Sequence, residues 1–132
     1  MPDKELKDLS VLRFEHAAEC LDAAKNLYAC ANYKSAANRS YYAVFHAMRS
    51  VLSLDRIDMK HHSGVISEFR KLYIKTGLFD SRLSQIISVL FDLRNDSDYD
   101  DFFTVTEEEV AEQISNAEYF LGEIKKYLDA IE

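Results

Sequence analysis

Residues 38–52 read "NRSYYAVFHAMRSVL", and the period of their apolar positions decides the fold. Across about residues 33 to 54, Ala37, Tyr41, Phe45, Met48 and Leu52 recur at steps of three and four. That spacing puts them on one side of a helix, with Val44 and Val51 widening the stripe. The same reading extends outward. About residues 5 to 30 place Leu9, Leu12, Ala17, Leu21, Ala24 and Tyr28 together, and about residues 63 to 76 use Ile66, Phe69 and Tyr73 before stopping at Gly77. About residues 81 to 101 carry Leu83, Ile86, Ile87, Leu90 and Leu93 behind Asp80 or Ser81 as cap. The last stripe runs Val110, Ile114, Ala117, Leu121, Ile124, Leu128, Ile131. Its start is a capping box, Thr106 with Glu109 three places on, and Glu107 and Glu108 suit the positive helix end.

No segment alternates with period two, the one proline is at position 2, and glycines number three. The expectation is therefore an all-α protein, a five-helix up-and-down bundle forming a single domain over residues 1–132. Most connections are short, as between antiparallel neighbours. "LDRIDMKHH", between the second and third helices, is the exception. Eight tyrosines and eight phenylalanines on several faces favour a second copy, so a homodimer is expected.

Bulk properties bound the function. No apolar run approaches the ~20 residues of a membrane span, and "MPDKELKDLS" is charged where a signal peptide is apolar. No membrane association is expected, and the default location is cytoplasmic. Cys20 and Cys30 lie ten apart within one helix, ~15 Å along its axis, too far for a disulfide. A net charge of −7 argues against coating nucleic acid non-specifically. The charge is uneven, however: residues 33–76 hold eight Lys/Arg against three Asp/Glu, and residues 95–112 hold eight acids and no base. A basic middle is compatible with a small anion site or with a solvated face.

Residues 93–103, "LRNDSDYDDFF", admit two readings. Asp96, Asp98, Asp100 and Glu107 fall at ligand places of a calcium loop, but the sixth place, normally glycine, is Asp101. As a helix C-terminus, the stretch pairs Arg94 with Asp98 and Asn95 with Tyr99 at i,i+4. Four acids at a negative helix end run against the dipole, which makes the stretch a place to look for function. His16 and Cys20 share a helix face, but two ligands do not make a zinc site, so neither metal nor cofactor is expected. Arg39, Tyr42, His46 and Arg49 also share a face, where cationic donors among rings can hold a phosphate and stack a base; a core edge with extended arginines fits equally. There is no glycine-rich phosphate loop, Gly-x-Ser-x-Gly elbow or HExxH pair.

"NRSYYAVFHAMRSVL", "KHHSGVISEF" and "LRNDSDYDD", in that order over about residues 9 to 130, resemble the HEPN superfamily, and most of all its small stand-alone prokaryotic branch with an Arg-x-x-x-Asp-Tyr pattern. The resemblance implies a dimerising helical bundle, often encoded beside a minimal nucleotidyltransferase, with some pairs acting as toxin and antitoxin. In active members an arginine followed by four to six residues and a histidine forms a metal-independent ribonuclease site at the dimer cleft. Arg94 matches the arginine, but the histidine places hold Tyr99, Asp100 and Asp101. In related toxins the partner modifies a tyrosine two places beyond the histidine; that slot here is Asp101, so Tyr99 does not inherit the role by position.

An RNase needs a base for the 2′-hydroxyl proton, and a free tyrosine, with a pKa of about 10, is ionised roughly one part in a thousand at pH 7. Restoring it requires a shift of ~3 units, about 4 kcal/mol of environment, to which Arg94 could contribute. The resemblance thus places Arg94 at the catalytic position, with Tyr99 in a histidine place and Asp98 suited to orient Arg94; Arg39, Tyr42 and His46 on their shared face, with His62 and Asn95, are the expected RNA or nucleotide ligands. The expected function is a toxin-like or regulatory partner of a nucleotidyltransferase. The alternative is a non-catalytic HEPN scaffold or nucleotide-binding module.

Overall fold

The computed structural model describes residues 3–59 and 61–131, so Lys60 of the "KHHSGVISEF" motif lies outside the described residues. Five α-helices follow in order: α1 Lys4–Ala29, α2 Tyr33–Leu52, α3 His62–Phe69, α4 Arg82–Tyr99 and α5 Glu107–Ala130. A 3-10 turn, Ser53–Asp55, extends α2, and a π-helical turn, Arg70–Ile74, extends α3.

The second helix is the axis of the bundle and packs against α1, α3, α4 and α5. Its residues explain why it can be enclosed. Ala36, Ala37, Ala43 and Ala47 are fully buried and let neighbouring helices approach closely, while Tyr41, Val44, Met48 and Val51 fill the space between. Its buried serines satisfy their own hydroxyls: Ser40 donates to the Ala36 carbonyl at 2.9 Å and Ser50 to that of Ala47 at 2.6 Å. One contiguous apolar cluster joins all five helices.

Expected and observed helices agree closely, with two differences. Leu12 is 62% exposed rather than on the buried side of α1. It precedes the buried Ala17 by five residues, which at 100° per residue carries it well round the helix from that stripe. The third helix does not stay α-helical to residue 76. After Phe69 it widens to i→i−5 bonding, with Lys75 N–H donating to the Arg70 carbonyl at 2.9 Å. The wide turn lets Arg70 lie across α4, where it donates to Ser84 Oγ at 2.9 Å and Ser88 Oγ at 2.6 Å. Gly77 then ends the segment with φ +82°, a conformation that costs glycine little.

The caps follow the sequence. Thr106 Oγ1 accepts from Glu109 N–H at 3.1 Å and donates to the Glu109 carboxylate at 3.1 Å. At the start of α4 it is the Asp80 carboxylate, accepting from Arg82 N–H at 2.9 Å, that caps; the Ser81 hydroxyl makes no cap bond. The long link after α2 is pinned down by Asp58, which accepts from Arg13 at 2.9 Å and Arg49 at 3.1 Å. Among the described residues no helix is long and apolar enough to cross a membrane.

Candidate functional site

Arg94 projects from the last turns of α4 towards α2, and its side chain is only 14% exposed. Burying a guanidinium requires partners around it. Nη2 donates to the Tyr42 hydroxyl at 3.1 Å and Nη1 to Asn95 Oδ1 at 3.2 Å. Nε stands 3.1 Å from Asp98 Oδ2, an ionic contact in which the N–H is not aligned as a hydrogen bond. The rings of Tyr41, Tyr42 and Tyr99 lie around the guanidinium carbon, with centroids 5.5, 5.6 and 5.7 Å away.

These contacts belong to a closed polar circuit. Asp98 also accepts from Asn38 Nδ2 at 3.2 Å, and Asn38 Oδ1 in turn accepts from Arg39 Nη2 at 2.7 Å and Nε at 3.1 Å. Arg39 closes the loop by lying 4.9 Å over the Tyr42 ring. Helical spacing puts Asn38 and Tyr42 one turn apart on α2, and Arg94 and Asp98 one turn apart on α4, so the two helices present matched pairs. Sequence reasoning missed Asn38. Its only signal was its place beside Arg39 in the motif of residues 38–52. An open depression of about 340 Å³ adjoins the circuit, lined by Lys34, Ser35, Asn38, Arg39 and Asp98 among others.

The other nominated residues are distributed unevenly. His62 lies behind the circuit: its ring stacks on Phe45 at 4.3 Å and its Nδ1 is 2.7 Å from the Tyr41 hydroxyl. Burial pushes the Tyr41 phenol up, so it keeps its proton and meets Nδ1 as a neutral hydroxyl. Burial, then Arg94, holds His62 below the usual histidine range. His46 stands a turn beyond Tyr42 and faces α1, where its ring stacks on His16 with centroids 4.1 Å apart. Arg49 is committed to Asp58. Tyr99 is the last residue of α4 and 74% exposed, and no bond joins it to Asn95 among the described residues. The calcium-loop reading fails in the backbone. Asp96 and Asp98 are still helical and about 200° apart around α4, so their carboxylates do not converge on one ion.

Burial and, after it, His16 and the arginines Arg49, Arg39 and Arg13 hold His46 down to about 4, against an ordinary 6.5. Above pH 6.5 the imidazole is neutral in both folded and unfolded chains. As the pH falls from 6.5 towards 4 the unfolded chain takes up a proton that the folded one resists, so stability is lost by at most about 1.4 kcal/mol per pH unit. Urea melts at pH 7 and pH 4.5 check this: His46→Gln should lose less stability over that interval than the wild type.

Comparison with known proteins bears on this arrangement. The family model described as the HEPN domain matches residues 11–127. A Methanocaldococcus jannaschii protein named "Putative toxin MJ0142" is 35% identical over 114 residues, 86% of this chain and 78% of its own length. A second from that organism, "Putative toxin MJ0605", is 34% identical over 129 residues, 98% of this chain and 96% of its own. A Thermotoga maritima "UPF0332 protein" is 35% identical over 113 residues, 86% of each chain. Among solved structures, one titled as ST0689, an archaeal HEPN homologue, superposes with a TM-score of 0.64 at 19% identity, over 90% of this chain and 97% of that one. With a shared fold and a family match over most of its length, the chain belongs to the HEPN family.

Proposed function

We propose that this chain is an RNA- or nucleotide-binding HEPN protein of the toxin type, acting with a minimal nucleotidyltransferase, in which Arg94 grips a phosphate at a cleft between two copies. The guanidinium carries the reading. Of its five N–H groups three face Asp98, Asn95 and Tyr42, and the others have no partner among the described residues. A planar donor so held is suited to a phosphate, since little freedom is lost when the ligand arrives. The exposed ring of Tyr99 beside it offers a face on which a base can stack.

Two further observations support the reading. Val89, Tyr99 and Phe102, exposed by 48, 74 and 96%, place apolar surface along α4 and just past its end, where a second copy would cover it. Two relatives of similar length are named as toxins. Within the basic middle of the chain Arg70 and Arg49 are already engaged, while Lys34 and Arg39 border the open depression.

Binding without rapid cleavage is the expected behaviour, because no histidine stands where the family's base would act. Cleavage with Tyr99 as base is the second reading, favoured by its place over Arg94. RNA incubated with the protein in chelator separates the two, alongside gel filtration and co-expression with the adjacent gene. Stoichiometric binding with intact RNA supports the first reading. Cleavage that falls by about 100-fold or more in Tyr99→Phe supports the second, this being the scale of a lost general base. A monomer that retains no RNA or nucleotide at low salt refutes both.

A further inference from the structure

We propose that His16, Cys20 and His46 form a metal site for Zn²⁺, bridging α1 and α2 and leaving a fourth position open to solvent. Spacing within α1 offered only His16 and Cys20, one turn apart; packing supplies the third ligand from α2. The ligand atoms of the three residues lie within 4.8 Å of one another, two imidazole nitrogens and one thiol sulfur. In a tetrahedral zinc site nitrogen and sulfur ligands stand about 3.5 Å apart, so the residues need to close by about 1 Å. Side-chain rotation provides that. The stacked rings of His16 and His46, 15° from parallel, must turn so that their lone pairs converge, and His16 is exposed and able to swing.

Chemistry selects the metal. Two imidazoles with one thiolate suit Zn²⁺, and a three-ligand set with an open place is the pattern of a non-structural site. Cys20 is buried, which shields the sulfur from oxidants, while exposed His16 marks the entry path. Charge does not forbid the ion. The thiolate offsets one of its charges, Glu19 lies near Cys20, and Arg13 and Arg49 share the Asp58 carboxylate. Burial pushes the Cys20 thiol up while Arg39 beside it pulls the other way, so the bound metal itself must displace the thiol proton; Arg39 also lies over Tyr42. An ion here would therefore staple α1 to α2 next to the Arg94 circuit. This inference does not depend on what that circuit binds.

The test uses the full chain with the exposed Cys30 replaced, Cys30→Ser, so that Cys20 is the remaining thiol. Stripped protein is titrated with Co²⁺ and then with Zn²⁺ against a chromophoric chelator. The expected result is one equivalent per chain, with the strong visible absorption of four-coordinate cobalt, a thiolate-to-cobalt charge-transfer band, and loss of both on adding Zn²⁺. Affinity should fall by at least about 100-fold in His16→Ala, His46→Gln and Cys20→Ser, the upper end of what losing a mere outer partner costs. His16 is exposed, so its variant keeps the test sound even if Cys20→Ser folds poorly, and far-ultraviolet circular dichroism checks each fold. Pale six-coordinate cobalt, no uptake of either metal, or binding undiminished in His16→Ala overturns the proposal.

Discussion

Arg94→Ala should weaken RNA or nucleotide binding by about 100-fold or more, while the protein remains folded. The magnitude follows from the bonds lost: a positioned guanidinium makes charge-assisted hydrogen bonds to a phosphate, each roughly twice as strong as a neutral one, and a factor of 100 is about 2.7 kcal/mol. Arg94→Lys should recover only part of this, because an ammonium cannot span Tyr42, Asn95 and Asp98 while also offering a paired face to the ligand. The stability cost should be about 1–3 kcal/mol, below the roughly 3–5 kcal/mol of a buried pair left with an unpartnered charge, since Asp98 keeps Asn38 as donor when Arg94 is gone. Filter binding across a salt series, read beside thermal melts, measures both quantities. Affinity unchanged in Arg94→Ala would refute the site, and any RNA cleavage surviving in that variant would come from a contaminant.

The second large effect concerns the core. Phe69→Ala should cost about 3–5 kcal/mol and lower the melting temperature by roughly 10–20 °C. Phe69 is fully buried at the junction where α3 widens into its π turn, and its ring lies 5.5 to 5.8 Å from those of Tyr73, Phe79 and Phe120. Truncation leaves a cavity that four elements would have to move to fill. Phe102→Ala is the contrast. At 96% exposure it should change the stability of the isolated chain by no more than about 0.5 kcal/mol. If a second copy covers that ring, the same substitution weakens association instead, and sedimentation at several concentrations reads that separately from the melt.

Most of the architecture was legible because periodicity reports which side of a helix faces the core. Tyr41, Phe45, Met48 and Leu52 are buried as a 3.6-residue repeat requires, and Gly77 and the Thr106 box end and begin helices through local backbone chemistry. What was not legible depends on choices among neighbours. Leu12 has an apolar side chain that the bundle leaves exposed, and the sequence does not state which stripe will be covered. The π turn after Phe69 goes with bonds from Arg70 to Ser84 and Ser88, fourteen and eighteen residues on, which spacing within the helix does not report.

The site was half legible for the same reason. Arg94 with Asp98 is a local helical pair, open to sequence reading. Asn38, which ties Asp98 to Arg39, acts across sixty residues, and His46 meets His16 across thirty. Nothing in the spacing within either helix indicates such a meeting.

The separation between the two halves of the Arg94 circuit has a consequence for its breathing. Asn38, Arg39 and Tyr42 lie within five consecutive residues of α2, so that half assembles with the helix and closes no long loop. Arg94 is 52 residues from Tyr42 along the chain, and the hydrogen bond between them closes a much larger loop. Detachment of α4 from α2 is thus a partial opening that would leave the α2 half intact. On the proposed reading, a phosphate gripped by both halves would bind only the closed form and act as a clasp, raising the free energy of that opening in proportion to the logarithm of its concentration.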